Sequence, residues 1–378
     1  MPTTSFDVIV LGLGGMGSAA CAELARRGRR VLGLEQFALD HTLGSSHGQT
    51  RIIRTAYFEH PDYVPLLKRA WERWYELEAT VGRHLLTDCG CLNIGLADGE
   101  IVPGVCRSAD KYGLAVDRLD AAELRKRYPQ FCFGDEYLAT YEHQAGFLHV
   151  ESCVQAHLDV ARSHGAELDT NERVLKWHAE SGHVEVTTAR AVYRAQKLVI
   201  TAGAWAGRLL AENGTRLRVV RQVPMWFETS DNRAFLRDRF PVFIAEVPGA
   251  YFYGFPVIDE RGFKVAQHFG APECMSPDEI DREPRSADEV PVRDFLNAHL
   301  PSASGPLKQA QTCLYTASPD HHFIIDVHPQ HANVSFACGF SGHGFKFASV
   351  VGEIMADLAE TGQTPHPIGM FRLGRFVA

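Results

Sequence analysis

Chemistry first suggests itself in the glycine cluster Gly12-Leu13-Gly14-Gly15-Met16-Gly17, a G-x-G-x-x-G spacing followed by an acid at Glu35. In such a cluster the first glycine permits a tight turn, the second lets backbone approach a pyrophosphate, and the third lets the following helix pack closely on the preceding strand. The phosphates then meet free N–H groups at the helix N-terminus, and Glu35 is placed to accept hydrogen bonds from a ribose diol. The fingerprint predicts dinucleotide binding and does not separate NAD from FAD. A glycine turn without a ligand is the bland alternative, and strand, helix, strand and acid in this order argue against it. Cys89-Gly90-Cys91 has the spacing of half a metal site, but no second pair follows at a zinc-site distance. No metal is expected, and these thiols read as part of a partly buried strand.

The elements that must position these residues are legible in outline. The near-continuous apolar run 6–11 predicts a strand buried on both faces. Residues 15–27 predict a helix with Met16, Ala19, Ala20 and Leu24 on one face and Gly28 as its C-cap, and 30–35 a second strand. That is a βαβ unit. Val64, Leu67, Trp71, Trp74 and Leu77 recur at helical steps after His60-Pro61-Asp62 and read as core. A helix over 150–164 and strands at 173–177, 184–188 and 197–201 continue the α/β pattern. Residues 218–316 differ, with aromatic-rich strands, prolines and a charged stretch over 276–294. Strands at 323–326 and 334–338 and an apolar helix ending near 358 restore α/β character. The expected fold class is α/β: a Rossmann-type nucleotide domain assembled from 1–86, 147–217 and 317–378, and a mixed-sheet α+β substrate domain from 87–146 and 218–316.

Composition removes several classes of function. With 45% hydrophobic and 22% charged residues the chain is an ordinary globular one, so disordered and fibrous classes drop out. A net charge of −8 without a basic block argues against nucleic acid or an anionic membrane as partner. No apolar run approaches the roughly 20 residues that span a bilayer. The nine irregularly spaced cysteines suit reduced thiols in the cytoplasm better than a disulfide framework. A small molecule is the expected partner.

Three separate segments narrow this further: Gly44-Ser45-Ser46-His47-Gly48-Gln49-Thr50-Arg51-Ile52-Ile53-Arg54; Thr312-Cys313-Leu314-Tyr315-Thr316; and Phe323-Ile324-Ile325-Asp326 followed by Gly339-Phe340-Ser341-Gly342-His343-Gly344-Phe345-Lys346. In this order they resemble the monomeric sarcosine oxidase family, which includes N-methyltryptophan oxidase and the peroxisomal sarcosine/pipecolate oxidases. The similarity extends from the N-terminal glycines to Phe371-Arg372-Leu373.

The resemblance implies a monomeric FAD oxidase of secondary amino acids, taking a small amine and O2, with the flavin attached through its 8α-methyl group to the sulfur of Cys313. It implies that Arg54 and Lys346 bind the substrate carboxylate, a fork and a point charge that suit that task. Arg51, with Thr50 and His47, would line the flavin near N5, where a cation stabilises charge developing in the ring. Lys264 would activate oxygen. His268 would lie near the substrate amine, Tyr253 and Tyr315 would shape the pocket, and backbone at Gly342-His343-Gly344 would meet the flavin's pyrimidine oxygens. Gly12, Gly14, Met16, Gly17, Glu35, Gln36, Ser45 and Val174 complete the expected cofactor contacts. Two departures bear on the substrate: the bacterial sarcosine oxidase pattern has methionine where Ile244 stands and aspartate where Gln49 stands, while Ala348-Ser349-Val350 looks more like N-methyltryptophan oxidase. Sarcosine, another N-methyl amino acid, or a cyclic imino acid all fit. A nicotinamide-dependent dehydrogenase, or a flavin protein without turnover, are the rival classes.

Overall fold

The first strand, Ser5–Leu11, is at the centre of an eight-stranded sheet because its alternate side chains are buried on both faces. It pairs in parallel with Val31–Leu34 on one side and Val192–Ile200 on the other. Glu167–Asp169 extends the first edge, and His183–Thr188 with Val174–Glu180 forms an antiparallel extension beyond the second. The last three residues of Val192–Ile200 also pair in parallel with Val334–Cys338, which carries Ile324–Val327 at its far edge. The helices Gly15–Arg26, Val64–Val81, Val150–Ser163 and Ala348–Thr361 bury their apolar faces in one cluster against this sheet. The computed structural model describes residues 5–210, 216–269, 273–274 and 276–376.

A second eight-stranded sheet is mostly antiparallel and takes its strands from two stretches of sequence: Cys91–Leu96, Val116–Leu119 and Tyr137–Glu142, then Met225–Phe227, Val242–Val247, Ala250–Phe255, Phe263–His268 and Leu307–Ala310. Val242–Val247 pairs in parallel with Cys91–Leu96 and joins the two groups. One face packs into an aromatic core around Phe131, Phe240, Phe243 and Phe263. The charged stretch 276–294, expected from sequence to hold an external helix or loop, includes the start of the helix Ser286–His299, which buries Val292, Phe295 and Leu296. The strand predicted at 197–201 runs from Val192 to Ile200. Its first half has exposed positions at Val192, Arg194 and Gln196 and pairs with a surface hairpin, so the hydrophobic signal marks only its second half.

Two three-stranded sheets join these layers. In one, Thr50–Ile53 pairs with Gly146–His149, which pairs with Leu86–Asp88; in the other, Arg218–Gln222 pairs with Cys313–Ala317 and with Glu273–Cys274. Thr50–Ile53 and Cys313–Ala317 carry much of the chemistry below. None of the eight described cysteines forms a disulfide. Among the described residues no helix is long and apolar enough to cross a membrane, and no group of three or more His, Cys, Asp or Glu side chains is arranged to hold a metal ion.

Candidate active site

The turn between Ser5–Leu11 and Gly15–Arg26 is built as its glycines require. Gly12 has φ 86°, and a Cβ there would fall 2.8 Å from the Thr201 carbonyl oxygen. A Cβ on Gly17 would fall 1.8 Å from the Gly12 carbonyl oxygen, so the helix packs this closely on the strand only with glycine there. The buried carboxylate of Glu35 accepts from the backbone N–H of Leu13 at 2.9 Å and of Phe37 at 3.1 Å. Burial pushes its carboxyl up, and these donors oppose the shift. Each oxygen keeps a lone pair for a ribose hydroxyl.

From this turn a cleft of about 300 Å³ runs past Gly12, Gly14, Met16, Glu35, Gln36, Ser45 and Val174 to Arg51, Tyr315, Gly342 and Gly344. Its length, its glycine floor and its acid suit a dinucleotide. Arg51, Tyr315, Gly342 and Phe345 also line a second cavity of about 70 Å³, so the two spaces share a wall.

The second cavity brings together Arg54, Lys346, His268, Tyr253 and His343 with Ile52, Phe58, Ile244, Tyr251 and Phe255. Arg54, only 2% exposed, follows the strand Thr50–Ile53 directly. Its guanidinium lies 4.1 Å from the Tyr57 ring centroid and 4.5 Å from that of Phe58, and its Nη2 donates to both carboxylate oxygens of Glu59 at 2.8 and 2.7 Å. Lys346 Nζ donates to the His343 carbonyl at 2.8 Å and to the Tyr57 hydroxyl at 3.3 Å; burial, then Arg54, pushes its pKa down to about 7. His268 Nδ1 is 3.1 Å from the Tyr315 hydroxyl, and burial pushes its pKa down to about 3, so the imidazole is neutral at ordinary pH. Both ring nitrogens of His343 have partners, the Tyr57 hydroxyl at 2.7 Å and the His321 carbonyl at 3.0 Å.

Behind Arg51 lies a buried cluster that lines neither cavity. Arg51 Nη2 donates to the Ser45 carbonyl at 2.8 Å and to the Cys313 sulfur at 3.2 Å. Burial pushes the Cys313 thiol up, but Arg51, then His47 and Lys264, outweigh it and bring the pKa down to about 7. Lys264, 1% exposed, donates from Nζ to the Gly48 carbonyl and to the carbonyl and hydroxyl of Thr50, at 3.0 and 3.1 Å for Thr50. Gln49, held at φ 75°, accepts from the Trp226 indole at 2.8 Å and donates to Asp259 at 2.9 Å. Lys264, Cys313, His47 and Thr50 thus form one buried group beside Arg51 that lines neither cavity, and Gly17 serves helix packing.

Sequence reasoning passed over Glu59, Tyr57, Tyr251 and Glu142. The recurrence Arg54-x-x-x-x-Glu59 on a loop was the one local signal for the ion pair. Nothing local pointed to Glu142, whose carboxylate accepts from the backbone of Thr55 and Ala56.

Residues 7–358 match the family model described as FAD dependent oxidoreductase. The chain belongs to that family. It is an FAD-dependent oxidoreductase, and the nicotinamide-dependent alternative falls away. It is 44% identical over 379 residues to the monomeric sarcosine oxidase of Streptomyces avermitilis, covering 99% of this chain and 98% of that one. It is 38% identical over 375 residues to the N-methyl-L-tryptophan oxidase of Salmonella enteritidis, covering 98% and 99%. Among solved structures, NikD, an unusual amino acid oxidase essential for nikkomycin biosynthesis, superposes with a TM-score of 0.86 at 25% identity over 98% of each chain. Glycine oxidase from Geobacillus kaustophilus shares the fold at a TM-score of 0.83 and 20% identity, covering 100% of both chains.

Proposed function

We propose that this family member oxidises a small secondary amino acid, with sarcosine as the best fit: sarcosine, water and O2 give glycine, formaldehyde and hydrogen peroxide. The observation that carries this reading is the convergence of two buried basic groups, Arg54 and Lys346, with a neutral imidazole, His268, in a cavity that shares its Arg51 and Tyr315 wall with the FAD cleft. FAD, when bound, supplies the two-electron acceptor. Arg54 and Lys346 hold the substrate carboxylate and so orient the N-methyl group. His268, uncharged, is placed to hydrogen-bond the substrate nitrogen and adds no further positive charge beside it. Arg51 sets a fixed positive charge where the two cavities meet, and Lys264 is the proposed preorganised donor for the reaction with oxygen. Cys313 is the proposed point of covalent attachment, supported by its acidic thiol. The protein is proposed to act as a monomer.

Cavity size favours a small substrate. A water needs roughly 10–15 Å³ of such volume, so about 70 Å³ suits a compact amino acid and leaves no room for an indole unless Ile244, Phe58 or Tyr251 moves. N-methyl-L-tryptophan is the second reading, motivated by the Salmonella relative, and cyclic imino acids such as pipecolate the third.

The test is an acid-precipitated visible spectrum of the purified protein, then anaerobic addition of sarcosine, N-methyl-L-tryptophan and L-pipecolate in separate cuvettes. Yellow colour retained in the pellet and fastest bleaching by sarcosine are the expected results. Colour left in the supernatant removes the Cys313 linkage, and fastest bleaching by another amine replaces the substrate.

A further inference from the structure

Beyond Arg54 the chain turns away from the strand Thr50–Ile53, and the backbone N–H groups of the next two residues both go to one side chain. Glu142 accepts from Thr55 at Oε1, 2.6 Å, and from Ala56 at Oε2, 3.1 Å. It ends the strand Tyr137–Glu142 of the substrate sheet, is 2% exposed, and stands opposite Cys91 in register. It lines neither the FAD cleft nor the substrate cavity.

The surroundings are polar for a buried sheet face. Asn93 and Thr140 face each other two pairs along the same two strands, and Asn93 Nδ2, Thr140 Oγ1, Thr55 Oγ1 and Arg54 Nε are buried without a hydrogen-bond partner. A carboxylate is a costly occupant of such a position unless its bonds accomplish something. What these bonds accomplish is specific: they hold two consecutive peptides of the loop that carries Arg54 at one end and Glu59 at the other.

We propose that Glu142 is a positioning residue for carboxylate recognition, fixing the turn at Thr55 and Ala56 so that the Arg54 guanidinium is presented to the substrate cavity. The inference rests on the reading of Arg54 as the partner of the substrate carboxylate. Glu142 acts through the loop and touches no substrate atom. Its two oxygens each satisfy one N–H group, so an amide in its place keeps the shape but offers one acceptor and turns a donor toward the other N–H.

The experiment uses FAD-loaded enzyme and acetate, a carboxylate without an amine, titrated against the flavin spectrum in four proteins: wild type, Glu142→Gln, Arg54→Ala and the double variant. Glu142→Gln is expected to weaken acetate roughly tenfold, the scale of one charge-assisted hydrogen bond. It should raise the KM for the amine substrate while leaving kcat nearly unchanged, a split that general loss of structure does not produce. In the Arg54→Ala background it should add nothing. Glu142→Asp, which keeps the charge but shortens the reach, should fall between wild type and Gln. Wild-type acetate binding by Glu142→Gln, or an equal further loss in the Arg54→Ala background, overturns the proposal. Unchanged acetate binding by Arg54→Ala instead overturns the reading of the cavity itself, so the two failures are distinguishable.

Discussion

The Nη2 of Arg51 lies 3.2 Å from the sulfur of Cys313, and this buried contact is the main reason that the thiol is acidic despite its burial. Thiolate is the attacking form in sulfur chemistry. Apoprotein mixed with FAD should therefore acquire acid-stable flavin faster as the pH rises through about 7. Arg51→Ala should move that rise upward, because burial then acts with less opposition. A rate of incorporation that does not change with pH across this range would remove Cys313 ionisation from the step.

Lys264 presents a different use of a buried basic group. Its three N–H donors are matched by the Gly48 carbonyl and by two oxygens of Thr50, and its Nζ lies 4.7 Å from the Phe255 ring centroid and 5.3 Å from that of Trp226. Burial and then Arg51 push its pKa well below the usual lysine value, while Cys313 and Glu151 oppose the shift. Lys264→Met is expected to leave anaerobic reduction by the amine within a few-fold of wild type and to slow reoxidation by O2 about a hundredfold, the scale of removing one preorganised donor. Stopped-flow traces of the two half-reactions measure each rate separately. Reoxidation at the wild-type rate would exclude Lys264 from the oxygen reaction.

Glu59 occupies the guanidinium that the substrate carboxylate is proposed to use. Burial is outweighed by Arg54 and His343, so the Glu59 carboxyl stays below its ordinary range and remains ionised at neutral pH. Two carboxylates then compete for one arginine. Arg54→Ala should weaken acetate binding by about a hundredfold, as for a buried charge pair. Glu59→Gln should strengthen it several-fold by removing the competitor. Equal acetate affinities in Glu59→Gln and wild type would mean that the ion pair does not open for the ligand.

What was legible from sequence divides along the range of the interactions. The glycine turn and the flanking strands and helix were readable because three glycines and an apolar run specify them within a few residues. The central strand Val192–Ile200 was half-read, since only the part that crosses the core carries an apolar pattern. Arg54 and Lys346 stood out through a family resemblance, and the structure brings them into one cavity, but no local rule assigned either a ligand. Glu142 was invisible because its partners are set by tertiary structure: Thr55 is 87 residues away, and an acid at the end of a strand ordinarily faces solvent. Lys264 was open to the same ordinary reading, and only packing against Trp226 and Phe255 reveals it as buried.

Glu142 also makes a prediction about stability. Burial pushes its carboxyl up from 4.5 to about 7, with the Thr55 N–H, Arg54 and the Ala56 N–H opposing the shift. The folded protein thus binds this proton more tightly than the unfolded chain does. The stabilisation is complete below the unfolded value and is lost as pH rises through the folded one, a share on the order of 3 kcal/mol at about 1.4 kcal/mol per pH unit. Glu142→Gln cannot ionise, so its melting temperature should fall less than that of wild type between about pH 5 and about pH 8. Calorimetry of the two FAD-loaded proteins across that window reads the difference, and parallel curves would mean that Glu142 does not titrate there. A flatter curve in a variant with weaker acetate binding would show that the ionised carboxylate costs stability at the pH where it serves to hold Arg54.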